Sequence, residues 1–356
     1  MNKERLNQVT ANMKASGLQQ IIVTSTASVY YLTGYWVEPQ ERMIALYLDA
    51  DGQAVLFGNE IFGLSATPEL QFVSHKDSDN PVADLARQAA PGKMGIDKFW
   101  YSKFLVELLE LRPDIVPVHG SGPVDLARTT KDEAEIVQMR QNSLINDQVM
   151  AAAIGMLQEG VTESYLAAQI NRQFLQHGAD GEGRQLVCFG ANGADPHHSG
   201  NQTELKPGDS VIFDIFAPIN HYWCDMTRTV FYKTVSARQR QVYELVKQAN
   251  EAAIAAIKPG VLLSTIDQTA REIIAQGGYG QYFTHRLGHG IGLECHEPPD
   301  VSQASEIPLT EGMIFSVEPG IYLPGEFGVR IEDLVLVTAD GCEVLNHYSK
   351  ELQVIE

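Results

Sequence analysis

The stretch Asp209-Ser-Val-Ile-Phe-Asp214-Ile-Phe-Ala-Pro-Ile-Asn-His-Tyr-Trp-Cys-Asp225-Met-Thr-Arg-Thr-Val-Phe231 decides how the rest of the chain is read. Two runs rich in β-branched and aromatic residues flank Pro218 and Asn220, which favour turns, so the segment predicts a β-hairpin. Asp214 and Asp225 are equidistant from a turn centred between Ile219 and Asn220. In a regular hairpin with that centre they face each other, their Cβ atoms roughly 4.5–5.5 Å apart. Like charges so placed destabilise a sheet unless a shared proton or a divalent cation neutralises them. A bulge that breaks the register and leaves two surface carboxylates is the other reading of this hairpin alone.

The same arrangement recurs downstream. Glu318 follows the strand-like Met313-Ile-Phe-Ser-Val317, and Glu332 lies in Gly328-Val-Arg-Ile-Glu-Asp-Leu-Val-Leu-Val337. Both are equidistant from Gly325 in the turn-forming segment between Tyr322 and Gly328. Period-two alternation puts Arg330 and Glu332 on one face, with Val329 and Ile331 on the other. Arg330 then either orients a carboxylate or makes an ordinary salt bridge. Between the hairpins, His285-Arg-Leu-Gly-His289-Gly-Ile-Gly-Leu-Glu-Cys-His296-Glu297 carries three histidines, and glycines on both sides of His289 permit close approach to its backbone. A loop from Ala191 to His198 carries two more, His197 and His198. Four carboxylates and one histidine, with no thiolate, form an oxygen-rich set suited to Mn²⁺, Co²⁺, Zn²⁺ or Fe²⁺. One catalytic Zn²⁺ takes fewer carboxylates; two metals roughly 3.5–4 Å apart would use them all.

A new regime begins at Thr130. Thr130-x-x-Glu133 reads as a capping box opening a helix to about Gln158, and a second helix is expected from Thr162 to Gln176 with Gly178 as its C′ residue. Ser236-x-x-Gln239 opens another helix to Ile257, and a fourth occupies Ser264 to Gln276. Helices, strands, helices and strands in that order predict an α+β class, with no short-period repeat. The first third alternates differently: a strand at Ile21–Val23, a hairpin around Asp51-Gly52, and helices at Pro81–Ala89 and Lys103–Leu111. The expected division is an α/β domain over 1–122, a linker over 123–130 and a catalytic domain over 131–356.

Composition excludes other classes. The 356 residues hold 26 Lys plus Arg against 45 Asp plus Glu, a formal net charge of −19. Nucleic acid and anionic membrane surfaces both need clustered positive charge, so neither is expected as a partner. No run approaches the roughly 18 apolar residues of a membrane span. The mixed polar start and four scattered cysteines predict a cytoplasmic chain with reduced thiols.

With these pieces assembled, the chain resembles the proline-specific branch of the pita-bread metallopeptidases (family M24), which includes Xaa-Pro dipeptidase (prolidase) and aminopeptidase P. The matching pieces are Pro196-His197, Asp214, Asp225-Met-Thr-Arg-Thr, Gly288-His289-Gly-Ile-Gly, His296-Glu297, Glu318-Pro-Gly-Ile-Tyr and Gly328-Val-Arg-Ile-Glu-Asp. The first domain, with Tyr31-Leu-Thr-Gly34, is similar to the creatinase-like domain of bacterial prolidases. The resemblance implies that Asp214, Asp225, His289, Glu318 and Glu332 bind two divalent ions, Mn²⁺ before Co²⁺ or Zn²⁺, with Asp225 and Glu332 bridging. It implies a bridging hydroxide as nucleophile and Glu318 as proton shuttle. His197 and His296 would stabilise the tetrahedral intermediate, His285 would shape the proline pocket, and Arg330 would hold the bridging carboxylates. It further implies a homodimer, and substrates that are Xaa-Pro dipeptides or short peptides. A non-catalytic binding module and metal-free creatinase-like hydrolysis are the competing readings, and the complete ligand set counts against both.

Two departures bear on specificity. Phe216 stands where the family usually has glycine, and Pro298-Pro299-Asp300 stands where many relatives carry a basic residue that helps hold a dipeptide's carboxylate. Cys224 and Cys295 each precede a site residue, so oxidation of either is expected to lower activity. The segment Trp36–Arg42 is either part of the substrate mouth or a solvated loop.

Overall fold

Strands alternating with amphipathic helices build the first of two units, Met1–Arg128 and Thr129–Glu356, in the computed structural model, which describes residues 1–356. Its elements are α1 (Lys3–Ala15), β1 (Gln20–Val23), α2 (Thr26–Thr33), β2 (Ala45–Asp49), β3 (Ala54–Asn59), β4 (Gln71–His75), α3 (Pro81–Gln88), β5 (Gly92–Ile96), α4 (Ser102–Leu111), β6 (Ile115–His119) and α5 (Gly122–Thr129). The strands form one sheet in the order β4-β3-β2-β1-β5-β6, with β2 antiparallel to both its neighbours. Val82 and Leu85 of α3 and Phe104 and Leu108 of α4 pack on Ile22, Tyr47 and Phe57 of this sheet. Each such fully buried side chain contributes about 1.5–3 kcal/mol. The 123–130 stretch read as a linker is largely helical, as α5. In the Trp36–Arg42 segment, Arg42 forks onto Asp77 with two bonds of 2.9 Å and Trp36 packs edge-on against Tyr30.

The second unit contains α6 (Glu133–Gly155), α7 (Glu163–Gln176), β7 (Leu186–Phe189), β8 (Ser210–Ile219), β9 (Tyr222–Tyr232), α8 (Ala237–Ala255), α9 (Leu263–Gln276), β10 (Gly288–Gly290), β11 (Glu297–Val301), β12 (Ile314–Val317), β13 (Gly320–Leu323), β14 (Phe327–Arg330), β15 (Asp333–Val337), β16 (Cys342–Val344) and β17 (Val354–Ile355). A helix pair followed by strands occurs twice. Gly160 and Gly260 open the second helix of each pair in the left-handed region, and Gly178 and Gly278 close it there. The backbone N–H of Gly160 donates to Leu205, and that of Gly260 to Leu309. This hundred-residue duplication is too divergent to stand out as a sequence repeat. In the first half, α6 and α7 pack on β7–β9; in the second, α8 and α9 pack on β10–β15.

Two helix starts test the capping rules. Ser236 and Gln239 form the expected box at α8. At α6 the box is Asp132 with Glu135, two residues beyond the expected Thr130 and Glu133. Thr130 instead makes a β-bridge with Met313, which commits its backbone to extended geometry. That helix ends at Gly155, three residues before Gln158.

The hairpin register differs from the one expected from the sequence. Asn220 and His221 both adopt positive φ, 50° and 68°, and make a two-residue turn between paired Ile219 and Tyr222. Two consecutive left-handed residues give the primed turn whose twist suits a hairpin. The turn centre therefore lies one residue later than inferred. Asp214 sits opposite Thr227, and Asp225 sits opposite Phe216. The aspartates are diagonal neighbours on one face.

The later pair keeps its symmetry about Gly325, but within an interrupted ladder. β13 pairs with β14 up to Gly320 and Arg330, and β12 pairs with β15 from Val317 and Asp333. In the gap, Glu318 N–H donates to Leu287 and Glu332 N–H to Thr227. Pro319 has no N–H to continue the ladder. Each glutamate backbone therefore bonds to a different strand system.

Candidate metal centre

The break between the ladders is where the two halves of the second unit converge. Arg228 fastens it: its guanidinium, almost fully buried, donates to the carbonyls of Thr227 and Glu332 and to the Asp333 carboxylate at 2.7 Å. Glu332 is thereby held against β9, and Thr227 Oγ1 donates to its Oε2 at 2.7 Å. His289 arrives on β10. Cβ atoms at Gly288 and Gly290 would overlap the backbone of Ser316 and of Glu297 and Pro298. These glycines let β10 slip between its neighbours, as their placement beside His289 anticipated. His289 N–H donates to Ser316 Oγ at 3.0 Å, and Ser316 Oγ donates to Glu318 Oε1 at 3.1 Å.

The ligand atoms of Asp225, His289 and Glu332 lie within 4.8 Å of one another and are buried. Glu318 Oε1 is 3.4 Å from His289 Nε2. Asp214 lines the same cavity, of about 550 Å³, as do His197, His285, His296 and Arg330. The nine residues given site roles from the sequence, Asp214, Asp225, His289, Glu318, Glu332, His197, His285, His296 and Arg330, therefore all line this cavity. His198 does not: its Nε2 pairs at 2.9 Å with Glu163, a buried carboxylate that also accepts from Phe189, Asn192 and Asn201. Glu163 thus organises the loop that presents His197.

The carboxylates raise one another's proton affinity. Burial first, then Asp214 and Glu318, lift Asp225 well above the usual carboxylate range. Burial, Asp225 and Glu318 do the same to Glu332. Glu318 is pushed up to about 7, by burial against the opposing pull of Arg330. Asp214 Oδ1 and Asp225 Oδ1 are buried without a hydrogen-bond partner. Unpaired buried acceptors are costly unless a proton or cation meets them. Burial holds His289 neutral, its pKa lowered to about 3. Its Nδ1–H donates to Gly290 O at 3.1 Å, which leaves the Nε2 lone pair facing the carboxylates. Unpaired oxygens, mutual repulsion and an oriented imidazole are the donor set that divalent ions require.

Arg330 differs in detail from expectation. It donates to Asp214 Oδ2 at 2.8 Å, to Tyr322 Oη at 3.0 Å and to Thr227 Oγ1 at 3.1 Å. It therefore orients Asp214 directly and Glu332 only through Thr227. Tyr322 Oη, accepting from Arg330, donates to His285 Nε2 at 2.7 Å. His285 Nδ1–H donates to Arg286 O. Both ring nitrogens are occupied, and burial lowers the pKa to about 3. Burial also lowers His296, whose ring stands edge-on to His289 at 4.1 Å. Burial therefore favours the neutral form of His296 over the cation.

Several participants escaped the sequence reading. Tyr322, Thr227 and Ser316 connect the site residues; of the three only Thr227 stands opposite a named carboxylate, Asp214, and Tyr322 and Ser316 gave no such signal. Arg184 and Arg286 line the cavity as further cations. Arg286 is paired with Asp300, so the acid found in place of a basic residue is neutralised by an arginine from the preceding loop. The two cysteines separate. Cys224 points into the core, its thiol bonded to Ala217 O and pushed up to about 12 by burial, which removes it from the oxidation expectation. Cys295 lines the cavity with Sγ 3.6 Å from Asp225 Oδ2.

Residues 137–339 match the profile "Metallopeptidase family M24", and residues 5–129 match "Creatinase/Prolidase N-terminal domain". An uncharacterized peptidase of Staphylococcus aureus (strain USA300) is 38% identical over 343 residues, covering 92% of this chain and 94% of its own. The crystal structure of a prolidase from Thermococcus sibiricus superposes with a TM-score of 0.93 at 32% identity, covering 100% of both chains. That of an X-Pro aminopeptidase from Thermotoga maritima gives 0.81 at 26% identity, covering 97% of this chain and 100% of the other.

Proposed function

The chain belongs to metallopeptidase family M24, a creatinase-type α/β domain preceding a pita-bread catalytic domain, and from that premise we propose that it hydrolyses the bond before proline in Xaa-Pro dipeptides. The observation that carries the chemistry is the convergence of four carboxylates, two with unpartnered oxygens, on the lone pair of His289. Asp214, Asp225, His289, Glu318 and Glu332 would hold two divalent ions. Mn²⁺ suits so oxygen-rich a set, with Co²⁺ and Zn²⁺ as alternatives. Ions bound there polarise the scissile carbonyl and lower the pKa of an attacking water.

The remaining steps belong to side chains. Glu318 Oε takes the proton of the attacking water and returns it to the proline nitrogen as the bond breaks. That nitrogen carries no hydrogen in the substrate, so no group of the site need accept from it. The N–H of neutral His296 and that of His197 donate to the oxygen that becomes negative. His285, with both nitrogens engaged, offers its ring to the proline.

Three features bear on chain length. The similarity to the prolidase and the cavity arginines Arg184 and Arg286 favour a substrate with a carboxylate next to proline. Asp300, pairing with Arg286, favours the aminopeptidase alternative, in which longer Xaa-Pro peptides lose their first residue. Hydrolysis of Xaa-Pro and Xaa-Pro-Yaa, with Mn²⁺ and with a chelator, separates the readings. The dipeptide is expected to be cleaved faster, and only with metal. A tripeptide cleaved at least as fast points to the aminopeptidase; chelator-resistant hydrolysis excludes the metal mechanism.

A further inference from the structure

Phe216 has no part in the fold's core. Its neighbours Ile215 and Ala217 are buried among α6 and α7, whereas Phe216 is half-buried on the opposite face, the one that carries Asp214. It sits directly opposite Asp225 in the β8–β9 register, and Leu186 sits directly opposite Asp214 in the β7–β8 register. Directly opposed residues share a face, so Leu186, Asp214, Phe216 and Asp225 project together into the cavity. Leu186, Pro196 and Phe216 are its apolar lining apart from Cys295; all else there is charged or histidine.

The backbone of Phe216 is clamped. Gln185 Oε1 accepts from its N–H at 3.1 Å, and Gln185 Nε2 donates to its carbonyl at 2.9 Å. Behind the ring stands Trp223, with centroids 6.1 Å apart at 46°. A half-buried aromatic ring, fixed in backbone and packed against Trp223, presents a rigid apolar surface to the cavity. The substituents of a trans peptide bond leave it in opposite directions. If proline lies against His285, the residue before it is directed away from that ring, and Phe216 and Leu186 offer the cavity's apolar wall to its side chain.

We propose that Phe216, continued by Leu186 and backed by Trp223, is the specificity-determining wall for the side chain of the residue before proline, selecting aliphatic side chains over glycine. This rests on the Xaa-Pro reading given above and adds the substrate's other half to it.

The test is kcat/KM of the Mn²⁺-loaded enzyme for Leu-Pro and Gly-Pro, in wild type, Phe216→Ala and Phe216→Leu. Wild type should prefer Leu-Pro. The Leu-Pro to Gly-Pro ratio should fall about tenfold in Phe216→Ala, as expected for a lost apolar contact, and be largely restored in Phe216→Leu. The ratio cancels any general loss common to both substrates, and thermal unfolding checks that the variants fold. An unchanged ratio in Phe216→Ala overturns the proposal. So does a variant whose selectivity shifts among proline-ring analogues but not among first residues, because the wall would then contact the proline. Failure of the wild type to cleave any Xaa-Pro dipeptide is a different result: it removes the functional reading itself.

Discussion

Arg330 holds three oxygen partners with one buried guanidinium, and its removal would be felt at the metal ligands before anywhere else. Arg330→Met would free Asp214 Oδ2 and leave Tyr322 and Thr227 without their donor. Loss of such an outer partner typically weakens metal binding about 10–100-fold, and titration calorimetry with Mn²⁺ should read a drop of that size. Arg330→Lys should recover little of it, because a compact ammonium cannot span three divergent acceptors. Full recovery by lysine would mean that charge alone matters. At the level of single residues, the carboxylates and histidines that line the cavity were legible in the sequence, because they stand in conspicuous clusters among strand-like runs. Tyr322, Thr227 and Ser316 were not, since a hydroxyl's role depends on which partner folding brings to it.

The segment from Gly288 to Val301 owes its conformation to a buried ion pair. Lys131 Nζ lies 2.8 Å from Glu297 Oε1, with side chains 1% and 2% exposed. Gly292 packs against both, and a Cβ there would overlap Glu297 Oε1. Glu297 Oε2 also accepts from Glu294 N–H, and Gly292 O accepts from Trp223 N–H at 2.8 Å. The loop that carries His296 is therefore tied to the entrance of α6 and to β9. Lys131→Met should destabilise the catalytic unit by about 3–5 kcal/mol in urea unfolding, since it removes the cation that faces a buried carboxylate. The double variant with Glu297→Leu should recover most of that loss. A double variant as unstable as the single one would show that packing, and not charge, holds the loop. The same scale explains the register error at the first hairpin. Asn220 was visible as a turn residue, but only the fold shows that His221 shares its left-handed conformation and moves the centre by one position.

Across the whole molecule, the acid excess divides into a solvated part and a buried cluster, and the two respond differently to pH. Asp225, Glu318 and Glu332 have folded pKa values above their ordinary ones, Glu318 at about 7. The metal-free folded state therefore binds more protons than the unfolded chain between about pH 4 and 7. Stability from these groups is complete below their unfolded pKa and is lost as pH rises through the folded values. In chelator, the unfolding temperature should fall from pH 5.5 to pH 8; with saturating Mn²⁺ the fall should shrink or vanish. High salt should leave the difference in place, because it screens surface repulsion and not a buried cluster. A chelated protein equally stable across this range would contradict the mutual repulsion on which the metal centre is argued. The sequence by itself determined the α+β class and the helices with most of their limits, because periodicity, caps and turn residues act over a few positions, and its motifs singled out the residues that the structure gathers around one cavity. The tertiary structure alone decided the diagonal offset of the aspartates, the ladder break between Glu318 and Glu332, the arginine that neutralises Asp300 and the burial of Cys224. Each of these depends on which strand lies next to which, and on desolvation by residues far away in the chain.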